Sequence, residues 1–364
     1  MLARKDRREI DSRETKMNRT SFVACTYFGA FILASPAVAQ TAAEFYNNRQ
    51  MTMVISTTVG GGYDIFGRMF ARHMGKYLPN GNARFVVKNM PGAGGLVGTN
   101  HMYNLAERDG STIAVVNREA LVEPLLAVDA TQAKFDPRNF KWLGSPNLEV
   151  GMIYVSTASG IQSIEDARRR ETTLGTSSGG NSTGVTVPKL LNELIGTKFK
   201  VITGYPGSME SILAMERNEV DGRYSPGWAG PEANKVNDLV AAGKARLIAY
   251  LNPDNHPAFK DLPNVMDLAN SPENRQILGI VLSAQGLGRP FFAPPGVPAD
   301  RVKALQGAFA ATTRDPEFLI EAAAQKFDIE ATSGPDMAAY IERLYAIPAP
   351  LLKRAIDMMA RAQK

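Results

Sequence analysis

The sequence predicts an α/β chain built as two β/α units that face each other across a cleft, each unit a mainly parallel sheet flanked by helices. Three observations carry that reading. A short apolar strand, a loop of small residues and a helix follow one another around 51–64, and the arrangement recurs at 89–95, 175–183 and 204–208. With 364 residues, the chain is comfortable for two domains. Its 44% hydrophobic and 21% charged content is that of a soluble globular protein.

The first 39 residues read as an export signal with an over-long front end. Met17-Asn18-Arg19 forms a compact basic start, Phe22 to Ala34 an apolar stretch, and Ala37-Val38-Ala39 a cleavage site before Gln40. Translation is expected to begin at Met17. The apolar run is shorter than the roughly 20 residues a spanning helix needs. Cys25, the single cysteine, lies inside this segment, only eight residues beyond Met17 and so a poor lipoprotein site. The mature chain would therefore have no thiol, disulfide or thiolate metal site. Seven basic and four acidic residues precede position 40, so the formal +5 falls to 34 against 32, or +2. No basic stripe remains for nucleic acid.

The opening unit runs from a strand at Met53-Val54-Ile55 through Gly60-Gly61-Gly62 into a helix. Ile65, Phe66, Met69, Phe70, Met74, Tyr77 and Leu78 recur there with a period near 3.6. Glycines before a helix leave its first N–H groups unobstructed, and the helix end adds about half a positive charge, so the loop suits an anion. Ala83 to Lys88 reads as the next strand, Asn89 to Gly95 as a loop, Leu96 to Ala106 as a helix. Thr112 to Val116 is a third strand, ending in the loop Asn117-Arg118-Glu119. In parallel sheets, ligands bind beyond the carboxyl ends of the strands, where these loops lie.

The second unit starts after Pro146. Strands are expected at 152–156, 172–174, 199–203, 220–224 and 245–251, with helices at 185–195 and 209–217. Ser163 to Asp166 resembles a capping box for the helix carrying Arg168 to Arg170. The loops GTSSGGNSTG, GYPGS and Ser225-Pro226-Gly227-Trp228 end three of these strands. The remainder is mainly helical, through 300–312 and 335–361, with a strand at 289–293.

The residues 175–179, GTSSG, match G-x-S-x-G, the nucleophile elbow of an esterase, with Ser177 as nucleophile. A triad needs a later histidine, and His256 is the only one, in a loop that reads as solvated. The strand before Ser177 contains Arg170, Glu171, Thr172 and Thr173, unlike the buried strand that carries such an elbow. An anion-binding loop is the better reading. Gly92 to Gly98 narrowly misses the dinucleotide fingerprint, because Val97 stands where a glycine is needed, so no cofactor is expected. Asp64 reads as a helix N-terminal group, and His73 and His101 as structural or solvated, with no metal site. Tyr63, Tyr205 and Trp228 lie at strand ends, where they either line a pocket or pack.

GGGYDIFGR at 60–68, VVKNMPGAGGLVGTN at 86–100, DGSTI at 109–113 and GYPGSMESILAMERNEVDG at 204–222 occur in order, together with the GTSSG loop and the proline-rich 292–298. In these motifs the chain resembles the extracytoplasmic receptors of tripartite tricarboxylate transporters, the TctC or Bug family. The resemblance implies a two-lobed Venus-flytrap receptor, with residues 40–143 and 252–364 in lobe I and 144–251 in lobe II. It implies a periplasmic receptor that takes a small carboxylate and delivers it to membrane permease subunits; a monomer without enzymatic activity is expected, and a sensory binding protein that serves no transporter is the alternative. The ligand contacts expected are Gly61, Gly62, Tyr63, Ala93, Asn117 and Arg118 on one side, and Thr176, Ser177, Ser178, Tyr205, Gly207, Ser208 and Arg223 on the other. Two departures bear on the ligand: GYPGS replaces the usual Tyr-Lys-Gly-Ser-like loop, and Asn117-Arg118-Glu119 replaces small polar residues. Arg118 or Arg223 reads the far carboxylate of a diacid, or else each pairs with a neighbour, Arg118 with Glu119 or Glu123 and Arg223 with Asp221 or Glu219.

Overall fold

The computed structural model describes residues 40–126, 131–147, 149–176, 183–228 and 230–363. The export-signal reading of 1–39 therefore lies outside the described residues, as do Ser177 and Ser178.

Helix α1 (Ala42–Tyr46) leads into β1 (Gln50–Ile55), α2 (Gly62–His73), β2 (Arg84–Asn89), α3 (Leu96–Asn104), β3 (Thr112–Val115) and α4 (Arg118–Leu126). Strand β4 (Lys141–Ser145) precedes the crossing to β5 (Gly151–Ser156). There follow α5 (Ile164–Arg169), β6 (Thr172–Gly175), α6 (Thr183–Ile195), β7 (Phe199–Ile202), α7 (Ser208–Glu216), β8 (Gly222–Ser225), α8 (Gly230–Ala241) and β9 (Ala245–Leu251). After α9 (Pro272–Val281) the chain returns as β10 (Phe291–Ala293), then α10 (Ala299–Thr312), α11 (Pro316–Ala324), β11 (Thr332–Ser333), α12 (Gly334–Tyr345) and α13 (Ala349–Gln363).

The strands form two sheets, ordered β11-β4-β10-β3-β1-β2 and β7-β6-β8-β5-β9. The β/α units are parallel in both: β1 pairs with β2 and β3, and β6 with β7 and β8. Strands that arrive by crossing between sheets, or from the C-terminal helices, run antiparallel. These are β10 against β3 and β4, β11 against β4, and β5 against β8 and β9. Short crossings reverse chain direction, so the sheets are mixed where the β/α alternation alone predicts mainly parallel pairing.

Register sets where the loops emerge. Ile55 lies beside both Asn89 and Val115, so the three loops after β1, β2 and β3 leave at one edge of the first sheet. Behind them Met53, Ile55, Phe66, Met69, Phe70, Phe291 and Phe309 form a dry core, with the Phe70 and Phe309 rings stacked at 4.9 Å. The capping box at Ser163 and Asp166 forms as its sequence indicates.

Several boundaries differ from those read in the sequence. Asn117-Arg118-Glu119 is no extended loop, because α4 begins at Arg118. Helix α8 carries only a thin apolar stripe, chiefly Val236 and Leu239, and its polar run GPEANKVND conceals it. The stretch read as mainly helical at 335–361 is two helices, α12 and α13, parted at Ile347-Pro348, where proline removes a helical donor. Helices α9 and α13, counted with the first lobe in the sequence reading, pack on α6 through Ile277, Leu278, Ala355 and Met358, against the core of the second sheet.

Helix α2 ends at His73 and tightens into a 3-10 turn over Met74–Tyr77. A Cβ at Gly75 would run into the carbonyl oxygen of Ala83, just before β2. Gly75→Ala should therefore cost about 1–3 kcal/mol in urea unfolding. Gly307→Ala, on the open face of α10 with nothing near a new Cβ, should instead add up to about 1 kcal/mol; equal effects at the two positions would contradict this packing.

Candidate functional site

Helix α2 presents its N-terminus at the edge where the three loops emerge. Gly61, the N-cap, has no side chain to receive the first N–H groups of the helix, which therefore remain open to a ligand. Asp64 braces the loop instead. Its carboxylate accepts from the Gly60 N–H at 2.9 Å, from Arg68 Nε at 3.0 Å and from Asn89 Nδ2 at 2.8 Å, while Asn89 Nδ2 also donates to the Thr57 carbonyl. These donors outweigh burial and hold the Asp64 carboxyl below the usual range. The structural role read for Asp64 in the sequence agrees with these contacts.

The other strand ends of the first sheet join the same edge. Asn117 donates its N–H to Ser56 Oγ at 2.7 Å and its Nδ2 to the Gly94 carbonyl at 2.9 Å, tying the ends of β1 and β3 to the turn that contains Ala93. Ala93 itself is left-handed, at φ 46°. The Arg118 N–H donates to the Tyr63 hydroxyl at 3.1 Å, so the starts of α2 and α4 are linked directly. Burial, assisted by Glu119, pushes the Tyr63 hydroxyl up to about 12.

Between the two sheets lies a buried cluster of charge. Glu149, 4% exposed, stands on the crossing from β4 to β5. One carboxylate oxygen faces Arg118 Nη1 at 3.2 Å and the other is ion-paired with Arg289 Nη1. Both arginines are buried. Burial would raise the Glu149 carboxyl, but Arg289 and then Arg118 overcome it and hold the group below its ordinary 4.5. Burial likewise works against Arg118, and Glu119, Tyr63 and Glu149 together keep its pKa above the ordinary value. The Arg289 guanidinium lies 5.7 Å from the Tyr63 ring centre, 4.6 Å from Phe66 and 5.3 Å from Phe327, within cation–π range.

The second sheet meets this cluster through the turn after β8. Arg118 Nη2 donates to the Pro226 carbonyl at 3.4 Å, and Gln285 Nε2 reaches the Tyr224 hydroxyl at 3.1 Å. A Cβ at Gly227 would collide with Glu149 Oε2, so only glycine permits this approach. On the other side, a Cβ at residue 62 would come within 3.2 Å of Arg289 Nη2, and glycine leaves that edge open toward the α2 N-terminus.

Arg223 has a different environment. Its Nε donates to Glu232 Oε1 at 2.9 Å, Nη1 to Ser211 Oγ and Nη2 to Ser208 Oγ, both at 2.8 Å. Neither Asp221 nor Glu219 is its partner: Asp221 instead accepts from the Thr173 N–H and hydroxyl. Arg118 does contact Glu119, at 3.3 Å, and also the more deeply buried Glu149. The Tyr205 ring edge covers Gly175, and Gly207 begins α7 without a capping side chain. Thr176, Tyr205, Gly207, Ser208 and Arg223 thus gather at the ends of β6, β7 and β8. Trp228 packs on Tyr154 at 5.8 Å.

Glu149, Arg289, Gln285 and Glu232 were not singled out in the sequence. A signal for two of them was present, since Glu149 and Arg289 are lone charges in apolar surroundings, NLEVGMI and GLGRPFFA. His256 accepts the Ala258 N–H on Nδ1 at 3.2 Å and places Nε2 3.0 Å from Glu330, so both ring nitrogens are engaged. His73, Asp315 and Glu317 also cluster, but the Lys76 ammonium already bridges the two carboxylates.

The description "Tripartite tricarboxylate transporter family receptor" belongs to a family profile that matches residues 67–354. The chain belongs to this family. A UPF0065 protein of Cupriavidus necator, from the gbd 5' region, is 27% identical over 330 residues, covering 86% of this chain and 90% of that protein. The structure of a TctC solute-binding protein from Polaromonas superposes with TM-score 0.65 at 19% identity, over 85% of this chain and 100% of the other. An R. palustris structure with adipate gives TM-score 0.53 at 21% identity, over 84% and 97%. The family consists of periplasmic solute receptors with a two-lobed fold, and no helix among the described residues of this receptor is long and apolar enough to cross a membrane.

The depressed Glu149 carboxyl makes a pH prediction. A group whose folded pKa lies below its unfolded value of 4.5 gives stability that is fully present above that value and is lost as pH falls through the folded pKa. Glu149→Gln leaves two buried guanidiniums without their carboxylate and should cost about 3–5 kcal/mol near pH 7. Urea unfolding should show the gap from wild type closing below about pH 4.5. A gap independent of pH would refute the ion-pair role.

Proposed function

We propose that this receptor captures a small dicarboxylate, without chemistry on it, and delivers it to the permease subunits of a tripartite tricarboxylate transporter. One carboxylate is taken by the open N–H groups at Gly61, Gly62 and Tyr63 and, from the second lobe, by the loops of Thr176, Ser177, Ser178 and Tyr205 to Ser208. The other is taken by Arg118. The observation that carries this reading is the placement of buried Arg118 beside the α2 N-terminus, through its N–H bond to Tyr63. A helix end of about half a charge neutralises one carboxylate only in part, and a second one desolvated in the cleft needs its own cation. The adipate in the R. palustris structure is a ligand of this class.

On this reading Arg223 is a positioning residue that holds Ser208 and Ser211, since its donors already have protein partners. The engaged ring of His256 favours binding over ester hydrolysis. The protein works as a periplasmic monomer released by a cleavable signal, and loss of carboxylate uptake on deleting either receptor or permease is the check on the transport partnership.

Purified residues 40–364 should be stabilised in thermal-shift assays by dicarboxylates, by about 2.7 kcal/mol at one hundred times Kd. Stabilisation by neutral sugars, with no response to any mono-, di- or tricarboxylate, would remove the reading. In titrations, Arg118→Gln should lose more than about tenfold, or 1.4 kcal/mol, for a diacid and little for its monoacid analogue. Arg223→Gln should weaken both ligands alike. Equal small losses for both ligands in Arg118→Gln would exclude Arg118 as the reader.

A further inference from the structure

The cluster behind the α2 N-terminus holds more positive than negative charge. Arg118 and Arg289 contribute two guanidiniums, and the one deeply buried carboxylate they share is Glu149. Glu119 also pairs with Arg118, at 3.3 Å, but its side chain is 42% exposed, so water weakens that pair and it offsets Arg118 only in part. Among the buried groups the cluster thus keeps a positive excess, in a site where an uncompensated ion costs several kcal/mol.

The donors are unsatisfied as well. Arg289 Nε is sealed from solvent and has no hydrogen-bond partner among the described residues, and Arg118 Nε, though 3.3 Å from Glu119, is without a hydrogen bond. No hydrogen bond from Arg289 Nη2 occurs among the described residues. That nitrogen lies beside Gly62, where the absent Cβ leaves the guanidinium edge uncovered. Buried guanidinium donors ordinarily have acceptors, so a row of unmet ones beside a helix end is the signature of an anion's place.

We propose that Arg289 joins Arg118 in reading the ligand's anionic group, and that Glu149 sets the charge this group must carry: a single negative charge is accepted and a double one refused. The inference rests on the carboxylate-receptor reading above and deepens it. Two guanidiniums less one carboxylate leave room for one negative charge. A carboxylate or sulfonate completes the balance, whereas a phosphonate in its dianionic form brings a second charge against the Glu149 carboxylate. Glu149 is then a specificity residue that acts by repulsion, and its removal should change which acids bind.

The test uses four ligands of one chain length with the same proximal carboxylate: the α,ω-diacid, the monoacid, the ω-sulfonate and the ω-phosphonate, titrated calorimetrically at pH 9.5, where the phosphonate is dianionic, into residues 40–364. Sulfonate and phosphonate share a tetrahedral shape and differ in charge, which separates charge from size. Wild type should bind diacid and sulfonate at least about tenfold more tightly than phosphonate. Glu149→Gln should shrink or reverse the sulfonate-to-phosphonate ratio. Arg289→Gln, which leaves Arg118 and Glu149 paired and keeps the proposal testable if Glu149→Gln does not fold, should lose more than about tenfold for the diacid and less than about twofold for the monoacid. An unchanged ratio in folded Glu149→Gln, or equal losses for both acids in Arg289→Gln, would overturn the proposal and leave the receptor reading intact. If wild type binds none of the acids, the receptor reading falls and the proposal with it.

Discussion

Glu149 shares its carboxylate between Arg118 and Arg289, and the arrangement of the cleft depends on that sharing. The three residues come from distant parts of the chain: the end of the first β/α run, the crossing to the second sheet, and the return from it. Desolvating any one alone would cost several kcal/mol, so each makes the burial of the others tolerable. The cluster also fixes positions that matter for a ligand. Arg118 carries the start of α4 and, through its N–H, the Tyr63 hydroxyl; Arg289 lies under Tyr63 and Phe66, at the start of α2.

The opposite wall follows a different rule. Arg223 is as deeply buried as Arg118, yet its donors meet Glu232, Ser211 and Ser208, and its neighbour Tyr154 donates to the same Glu232. A satisfied guanidinium stiffens the ends of β6 and β8 and the start of α7; an under-satisfied one offers itself to something from outside. Two arginines that look alike in the sequence are thus distinguished by how many of their donors the protein already uses. Glycine at 62 and at 227 serves the under-satisfied cluster, because each allows backbone to approach a charged group that a methyl would hold away.

Much of the fold was legible in the sequence because it is local. A period near 3.6 from Ile65 to Leu78, the capping box at Ser163 and Asp166, and apolar runs such as 245–251 each signal an element through neighbours a few residues apart. The failures are local too. The start of α4 at Arg118 was missed where a strand end and a helix start abut without a turn signal, and α8 was missed because its apolar stripe is narrow. The clustering of Gly61, Gly62, Tyr63, Asn117 and Arg118 could be foreseen, since parallel pairing in register sends successive strand ends to one edge.

By itself the sequence determined the β/α alternation, the resemblance to a receptor family and the glycine-rich strand ends, all of which depend on residue type and short spacing. Tertiary structure alone decided the ion-pair partners. Arg118 finds Glu149 in addition to its neighbour Glu119, and Arg223 finds Glu232 rather than Asp221 or Glu219, because a buried charge is governed by whichever counter-charge shares its low-dielectric surroundings. Arg289 and Glu149 stand on the two crossings between sheets, 140 positions apart in the numbering, and nothing in their local sequence indicates that folding sets them against each other. Pairing over such a separation is fixed by how the chain crosses from sheet to sheet, and that is a property of the closed fold.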